Sequence, residues 1–456
     1  MSMENVRKEI STVPVAIRAG VFAAAAAGSL AWGAVIGTSP SEAFHLAVVP
    51  VLACWALLFR PSLFRQIAPR HLVYFTVLAV AVGGYLLSFA RLTSQAPVSW
   101  TEIPLALYFL LALHLVVYLI DRAVVALLKL VAREAGSRGR LVPAGLAAVR
   151  IVLVAALSAP YLTATFLVHW VKFADVTDPR ELAGMEYEPV RFDSSDALSI
   201  TGWWIPRRKA ASDSTVILVG GRCQSKANFL VHAQVLGEAG YHVLMPDLRG
   251  SGRSQGHTRS FGSLEGRDVL GALRYLKAVR PSQSRHVFVM GIGEGATAAL
   301  AAASRDKRIE AVVLDSPCGG ADAAVDQLAG LLPGPLDGAF RRASLAVASA
   351  ALGCDVTSFD AGDMMARLHD RPVLIIQGLD DTVSPPGRAE ELCRRGKAFT
   401  DSPAGLKPIL WRVPLAGYAQ SVLLTRFHYG RNVRTLFESV RRDSPELLRL
   451  IDPEEF

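Results

Sequence analysis

The chain of 456 residues is predicted to hold a multi-span α-helical membrane region followed by an α/β domain with a mostly parallel sheet. The first observation behind this fold class is composition: 51% of the residues are hydrophobic and the mean hydropathy is +0.33. The second is that the apolar excess lies almost entirely before residue 172. The third is that short β-branched runs alternate with helix-like stretches after that point.

The membrane prediction depends on five apolar stretches, each close to the roughly 20 residues that cross a bilayer core as a helix. The second stretch is the weakest because it is short and contains Pro50. A helix buried in protein would explain one such stretch but not five in succession. The predicted spans are 19–36, 43–59, 72–90, 103–120 and 151–171.

Basic residues in the connections predict the orientation. They cluster before the first span and in the second and fourth connections, whereas the other two connections offer only Arg91. The positive-inside rule then puts the amino terminus in the cytoplasm and the carboxyl-terminal domain outside, and loss of the second span would reverse the placement of that domain. The sequence thus predicts an integral membrane protein, placed in the plasma membrane. Much of the formal charge of +8 is this topology signal, and no nucleic-acid-binding module is recognisable.

Three parts follow from this division: a transmembrane region over 1–171, a linker over 172–184 and an α/β domain over 185–456. The domain opens with a predicted antiparallel hairpin, and an alanine- and leucine-rich helical insertion is predicted over 319–369. The predicted buried strands are "STVILVG", "YHVLMPD", "HVFVMG", "EAVVLDS" and "PVLIIQG".

Several stretches of the second part resemble the α/β-hydrolase superfamily, particularly its membrane-anchored serine hydrolase-like members. "DLRGSGRS" (Asp247 to Ser254) is similar to a distinctive stretch of that family, and "PVLIIQGLDDTVSPP" resembles the strand and turn that carry its acid. The resemblance covers roughly residues 185–440. It implies an α/β-hydrolase fold with a helical cap and a nucleophile, histidine and acid triad.

The nucleophile position falls on Gly293, within Gly291-Ile292-Gly293-Glu294-Gly295, where the family has Gly-x-Ser-x-Gly. The flanking glycines, the preceding strand and the following helix are all retained. Glycine has no side chain that could attack a carbonyl. The turn is therefore expected to keep its backbone shape but to lack a catalytic nucleophile.

The resemblance places the acid on Asp381, with Asp380 a weaker alternative, and the base on Tyr418, where the family has histidine. The alternative for Asp381 is a carboxylate that caps a turn, which does not require catalysis. Tyrosine, with an unperturbed pKa of about 10, is a poor base near neutrality. His428 follows in a predicted helix and is a weak substitute.

The oxyanion positions fall on Gly221, Arg222 and Glu294. By the family pattern, Arg222 and Glu294 supply the two backbone N–H groups. Their side chains are either paired across the vacated site or solvated at its rim, and the sequence leaves both arrangements open. Gly220 and Gln377 also stand where the family often has histidine.

Another nucleophile is the remaining route to hydrolysis. Cys223, Ser225, Ser316 and Cys318 all follow predicted strands, but none stands on a nucleophile elbow. The five cysteines have no metal-ligand spacing, so no metal or cofactor is predicted.

The sequence therefore favours a non-catalytic, membrane-anchored protein that binds a lipid or acyl ligand, or a protein partner, under the helical insertion. Membrane lipids are the other expected partners. The alternative is an active serine- or cysteine-type hydrolase of ester or lipid substrates with a rearranged site. A transport function has only polar residues such as His45 and His114 in the predicted spans to support it.

Overall fold

A computed structural model describes residues 19–20, 22–24, 27, 120–127, 142–169, 172, 175, 177–207, 212–221, 225–329, 334–398 and 406–451. These residues divide into two compact units. The first unit includes 120–127, 142–167 and 334–354, and the second includes 168–329, 355–398 and 406–451, each without the gaps just given.

The helices are α1 Val142–Val168, α2 Pro179–Ala183, α3 Leu230–Ala239, α4 Gly266–Val279, α5 Glu294–Ala303, α6 Ala321–Ala329, α7 Gly334–Leu352, α8 Ala361–Ala366, α9 Pro386–Ala398, α10 Ser421–Leu424 and α11 Arg426–Arg441. The strands are β1 Glu188–Asp193, β2 Ser199–Ile205, β3 Ser214–Val219, β4 His242–Pro246, β5 His286–Ile292, β6 Ile309–Asp315, β7 Val373–Gly378 and β8 Ile409–Val413. Short 3₁₀ turns lie at Lys226–Phe229, Val356–Ser358 and Pro445–Leu450.

The membrane part of the predicted fold class is wrong. Within the described ranges, no helix combines the length and the apolar character needed to cross a bilayer. The same finding overturns the predicted plasma-membrane placement and the extracytoplasmic carboxyl-terminal domain. Spans 43–59 and 72–90 lie outside the described residues, as do most of span 19–36 and all of span 103–120 except residue 120.

The predicted fifth span, 151–171, corresponds to most of α1. This helix buries Ser158, Ala164 and Val168, while Leu157 is 57% exposed. An apolar run of helical length is typical both of a membrane span and of a helix packed against protein. Hydropathy alone could not separate the two, which is why the prediction failed.

In the second unit, one eight-stranded sheet has the order β1-β2-β4-β3-β5-β6-β7-β8. The β1–β2 and β2–β4 pairs are antiparallel, and every later pair is parallel. The antiparallel β1–β2 pair is the predicted leading hairpin. The α/β part of the fold-class prediction is therefore confirmed.

Both faces of the sheet are buried. Successive side chains of a strand point to opposite faces, and each set packs into a hydrophobic core. In β5, Val287 and Val289 join a core with α4, α5, α8 and α9, whereas Phe288 and Met290 join a second core with α3 and α11. A strand with two buried faces reads as an unbroken apolar run, and "HVFVM" is such a run.

The stretch Asp247 to Ser254 has a structural role. The Asp247 carboxylate accepts a hydrogen bond from Lys226 Nζ at 2.6 Å, and a side chain at Gly252 would overlap that carboxylate. The buried Arg249 guanidinium contacts Asp268 and Asp196 at 2.7 and 2.6 Å. These contacts fix the loop that follows β4.

The insertion predicted over 319–369 contains α6, α7 and α8. Helix α7 groups with the first unit, whereas α6 and α8 group with the second. The boundaries predicted for the three parts of the chain stay predictions.

Candidate functional site

The turn between β5 and α5 has the geometry expected of a nucleophile elbow. Gly293 lies at φ 61° and ψ −120°, a conformation that residues with a side chain adopt only under strain. Its N–H donates to the Asp315 carbonyl at 2.9 Å. A side chain at Gly291 would meet the Gly295 carbonyl, and one at Gly295 would meet the carbonyls of Val219 and Gly220. Close backbone approach therefore fixes this turn.

The phenol of Tyr418 lies in the space in front of the elbow. A Cβ atom built on Gly293 would overlap its Oη atom, and so would a Cβ atom built on Gly221. One hydroxyl thus fills the space between the nucleophile position and one oxyanion position. Burial, together with nearby Cys318 and the carboxylates of Glu294 and Asp381, raises the pKa of Tyr418 well above 10.

The proposed oxyanion residues are only partly described. Gly221 is buried, and Glu294 is a half-buried residue at the start of α5. Arg222 lies outside the described residues, as does Cys223, so the predicted pairing of Arg222 with Glu294 stays a prediction. The structure brings Gly293, Gly221 and Tyr418 together at this point.

Asp381 is buried in the turn between β7 and α9. Its Oδ1 atom accepts hydrogen bonds from the backbone N–H groups of Val383 and Ser384, at 2.9 and 2.7 Å. Within the described residues, its Oδ2 atom accepts no hydrogen bond of standard geometry, and the Ser316 hydroxyl lies nearby. Burial raises the pKa of this carboxyl, and the nearby Asp315 acts in the same direction. Asp381 therefore caps a turn through one of its two oxygens.

The other candidate acid, base and nucleophile residues lie in positions less suited to catalysis than the triad positions. Asp380 is exposed, and its N–H donates to the Ala416 carbonyl at 3.0 Å. His428 is half-buried on α11. Ser225 and Ser316 are buried, with 4% and 0% of their surface exposed. Cys318 is half-buried, and its N–H lies 3.5 Å from the Gly293 carbonyl.

Sequence reasoning missed a buried polar network beneath the elbow. The Asp315 carboxylate accepts hydrogen bonds from Tyr429 Oη at 2.6 Å and from Ser316 Oγ at 3.1 Å. His232 Nε2 lies 3.6 Å from the same carboxylate. Ser316 Oγ in turn accepts from the Ala419 N–H at 3.1 Å. The network therefore anchors the loop that carries Tyr418.

Strained backbone concentrates around this loop. Leu415 and Ala419, on either side of Tyr418, have φ values of 60° and 55°, and Ser316 has φ 50°. Such conformations cost residues with a side chain about 1–3 kcal/mol each and persist where the surroundings hold them. The only sequence signal for the network was the run "LDSPCGG", which matches a common structural position of the resembled family.

A separate cavity of about 200 Å³ lies beside the elbow helix α5. Its apolar wall contains Leu300, Leu314, Phe359 and Leu392. The half-buried Arg388 also lines it and forms no ion pair with any described residue. Across the described ranges, no cluster of three or more metal-ligating side chains is present.

Residues 210–351 match the family model described as serine aminopeptidase, S33. No curated protein sequence matches the chain. Among solved structures, the esterase Pf2001 of Pyrococcus furiosus is 23% identical, with a TM-score of 0.48, over 60% of this chain and 98% of that chain. The acylaminoacyl peptidase of Pyrococcus horikoshii is 16% identical, with a TM-score of 0.42, over 58% of this chain and 44% of that chain. A thermophilic esterase of Thermogutta terrifontis is 19% identical, with a TM-score of 0.40, over 56% of this chain and 99% of that chain.

Proposed function

We propose that the second unit, which has the α/β-hydrolase fold and holds most of the match to the serine aminopeptidase family model, has lost triad hydrolysis and acts by binding. The observation that carries this proposal is the position of Tyr418. Its hydroxyl fills the space that a nucleophile at residue 293 and an oxyanion beside Gly221 would need. A site that is filled by its own side chain cannot hold a tetrahedral intermediate.

Proton chemistry supports the same function. A general base must be able to accept a proton near the working pH. The raised pKa of Tyr418 keeps its phenol protonated there, and a protonated phenol has no site for a second proton. Asp381 would orient a histidine in the family's triad, but here its Oδ2 atom accepts no hydrogen bond of standard geometry within the described residues. The acid is retained without a base to orient.

The cavity beside α5 is the proposed ligand site, and the proposed ligand is a small acyl-bearing molecule. Its wall of leucine and phenylalanine side chains suits an acyl chain. Arg388 can pair with a carboxylate because its guanidinium has no ion pair within the described residues. Asp322, on the same cavity, can accept a hydrogen bond from a ligand hydroxyl.

Hydrolysis is the second candidate function, and the comparisons favour it. The matched family is one of peptidases, and similar solved structures are named as esterases and peptidases. The elbow backbone is also retained at Gly293. In this case Cys318, which lies next to the elbow, is the nucleophile that the described residues offer.

Labelling with a fluorophosphonate probe and with iodoacetamide separates the two functions. We expect the natural full-length chain to resist the fluorophosphonate, because it has no activated serine. Gly293→Ser combined with Tyr418→His should be labelled, since the second change removes the blocking hydroxyl and faces a histidine towards Asp381. Gly293→Ser alone should stay unlabelled because Tyr418 still fills the space.

Two control variants make this result decisive. The double variant with Asp381→Asn should lose labelling if Asp381 orients the new histidine. Cys318→Ser identifies any reaction at that thiol. Labelling of the natural chain by the fluorophosphonate, or ester hydrolysis that disappears in Cys318→Ser, would overturn the non-catalytic proposal.

The ligand site is tested separately by thermal unfolding with sodium hexanoate as the probe. We expect a concentration-dependent rise in Tm for the natural chain and a much smaller rise for Arg388→Gln. Arg285→Gln, which removes the same charge from an exposed position, should respond like the natural chain. An equal rise for the natural chain and Arg388→Gln would exclude this cavity as the acyl site.

A further inference from the structure

Strand β8 is the last of the described strands of the sheet, and among these strands it pairs only with β7. The Leu379 N–H donates to the Val413 carbonyl at 2.9 Å, so the backbone groups of Val413 face the β7 side. The direction of these groups alternates along a strand. The N–H and C=O groups of Leu410 and Arg412 therefore face the open edge, where another strand can pair with them.

A groove of about 600 Å³ follows this edge. Its floor contains Leu410, Leu448 and Ile451. Among the described residues that line it, four are cationic and one is acidic: Arg394, Lys397, Lys407 and Arg412 against Glu390. The groove combines an apolar floor, a positive rim and free backbone groups.

Part of the positive charge is not neutralised within the chain. Arg412 pairs with Glu390 at 3.1 Å, and Arg394 pairs with Glu391 at 2.7 Å. Lys407 is exposed and forms no ion pair with any described residue. An anionic partner would therefore gain a favourable contact at Lys407, on a rim where cations outnumber acidic side chains.

We propose that the open edge of β8 binds an extended acidic segment of a protein partner, which joins the sheet as an additional strand. Backbone pairing supplies the geometry, the apolar floor takes alternate side chains of the segment, and the cations select acidic residues on the other side. This inference does not depend on the loss of hydrolysis, since the edge and the elbow are tested by different measurements.

The charges argue against two other occupants. Pairing with β8 of a second copy would bring two basic rims together, and like charges across a strand pair are destabilising. A single-stranded nucleic acid would need aromatic platforms, and the described residues that line the groove include no aromatic side chain. An acidic peptide matches both the charge and the backbone.

Fluorescence anisotropy of the full-length chain tests this inference with a fluorescein-labelled heptapeptide of alternating glutamate and valine. A second peptide has the same sequence but is N-methylated at the alternate residues whose N–H groups would face β8. It keeps its charge but cannot donate hydrogen bonds to the β8 edge. We expect saturable binding of the first peptide and at least about tenfold weaker binding of the second, because its pairing hydrogen bonds are lost.

Charge-reversal variants locate the site. Lys407→Glu and Arg412→Glu should each weaken binding by about three- to tenfold, since each replaces an attraction with a repulsion at a solvent-exposed position. Arg285→Glu makes the same change on another exposed arginine and should leave affinity unchanged within about twofold. Lys407→Ala, which removes charge without reversing it, is a milder form of the same test.

Four results would overturn the proposal. These are no binding of the first peptide, equal binding of the methylated peptide, equal binding of a labelled 20-nucleotide single strand of DNA, and peptide binding only after deletion of residues 452–456. The last result would mean that the chain's own acidic residues, Asp452, Glu454 and Glu455, fill the groove.

Discussion

The two halves of the candidate site differ in which features of the resembled family they share. The elbow half, between β5 and α5, retains its backbone: Gly293 has a positive φ and Gly291 and Gly295 pack against neighbouring backbone. The acid-and-base half, after β7 and β8, retains Asp381 but has Tyr418 where the resembled family has histidine. Backbone packing and side-chain chemistry are therefore separable, because glycine contacts hold the turn whether or not a nucleophile stands on it.

The largest effect on stability is expected for Gly295→Ala, which disrupts the close backbone packing of the elbow. Its Cβ atom would overlap the Val219 and Gly220 carbonyls, and neither backbone segment can move without disturbing β3. We expect a loss of about 3 kcal/mol in the free energy of unfolding, at the upper end of overpacking effects. Urea denaturation measures it.

Gly237→Ala is the matched control, since it makes the same substitution in helix α3, where no atom lies within 4 Å of the new Cβ. Alanine is the better helix former, so this variant should gain about 0.5–1 kcal/mol. If Gly295→Ala and Gly237→Ala lower the free energy of unfolding by the same amount, close packing does not hold the elbow.

Much of the framework could be predicted from sequence because it rests on local patterns. The runs that form β3 to β7 are apolar and β-branched, and the spacing of three glycines marks the elbow. Strand β8 was not predicted, although "ILWRV" has the same character. The membrane region was wrongly predicted because hydropathy does not distinguish a span from a buried helix.

The filling of the site by Tyr418 could not be predicted. The sequence places tyrosine at the base position, but where its hydroxyl lies depends on the strained loop around it. That loop is held by the bond from the Ala419 N–H to Ser316, which lies 103 positions away. Contacts this distant in sequence, made by residues in rare backbone conformations, leave no periodic signal.

A smaller effect is expected when the network beneath the elbow is changed by Tyr429→Phe. This removes the hydroxyl that donates to the buried Asp315 carboxylate at 2.6 Å. A buried acceptor that loses a donor costs about 1–3 kcal/mol, and we expect a loss in that range by urea denaturation. The loop around Tyr418 should also become more accessible to protease, because Asp315 and Ser316 anchor it.

Tyr241→Phe is the comparison for this variant. The Tyr241 hydroxyl is also buried, but it forms no hydrogen bond of standard geometry within the described residues, and the Glu438 carboxylate lies nearby outside that geometry. Its removal should leave the unfolding free energy unchanged or slightly higher. A loss as large as that of Tyr429→Phe would show that the missing hydroxyl, rather than its bond to Asp315, accounts for the effect.

The smallest effect is expected for Asp381→Asn, and it depends on pH. Burial raises the pKa of Asp381 in the folded chain above its unfolded value, so the folded state binds the proton more tightly. The stability linked to this proton is complete below the unfolded pKa of about 3.9 and is lost as pH rises through the folded pKa. Asparagine removes this titration and keeps an acceptor for the Val383 and Ser384 N–H groups.

We therefore expect Asp381→Asn to be more stable than the natural chain at pH 7 by about 0.5–1.5 kcal/mol, and this advantage to shrink as pH falls towards 4. Urea denaturation across that range measures the difference. Asp380→Asn changes an exposed neighbour and should stay within about 0.5 kcal/mol of the natural chain. If Asp381→Asn is instead less stable at pH 7, the carboxylate has a cationic partner. The acid half of the site would then still serve a charge-dependent function, and the contrast with the elbow would disappear.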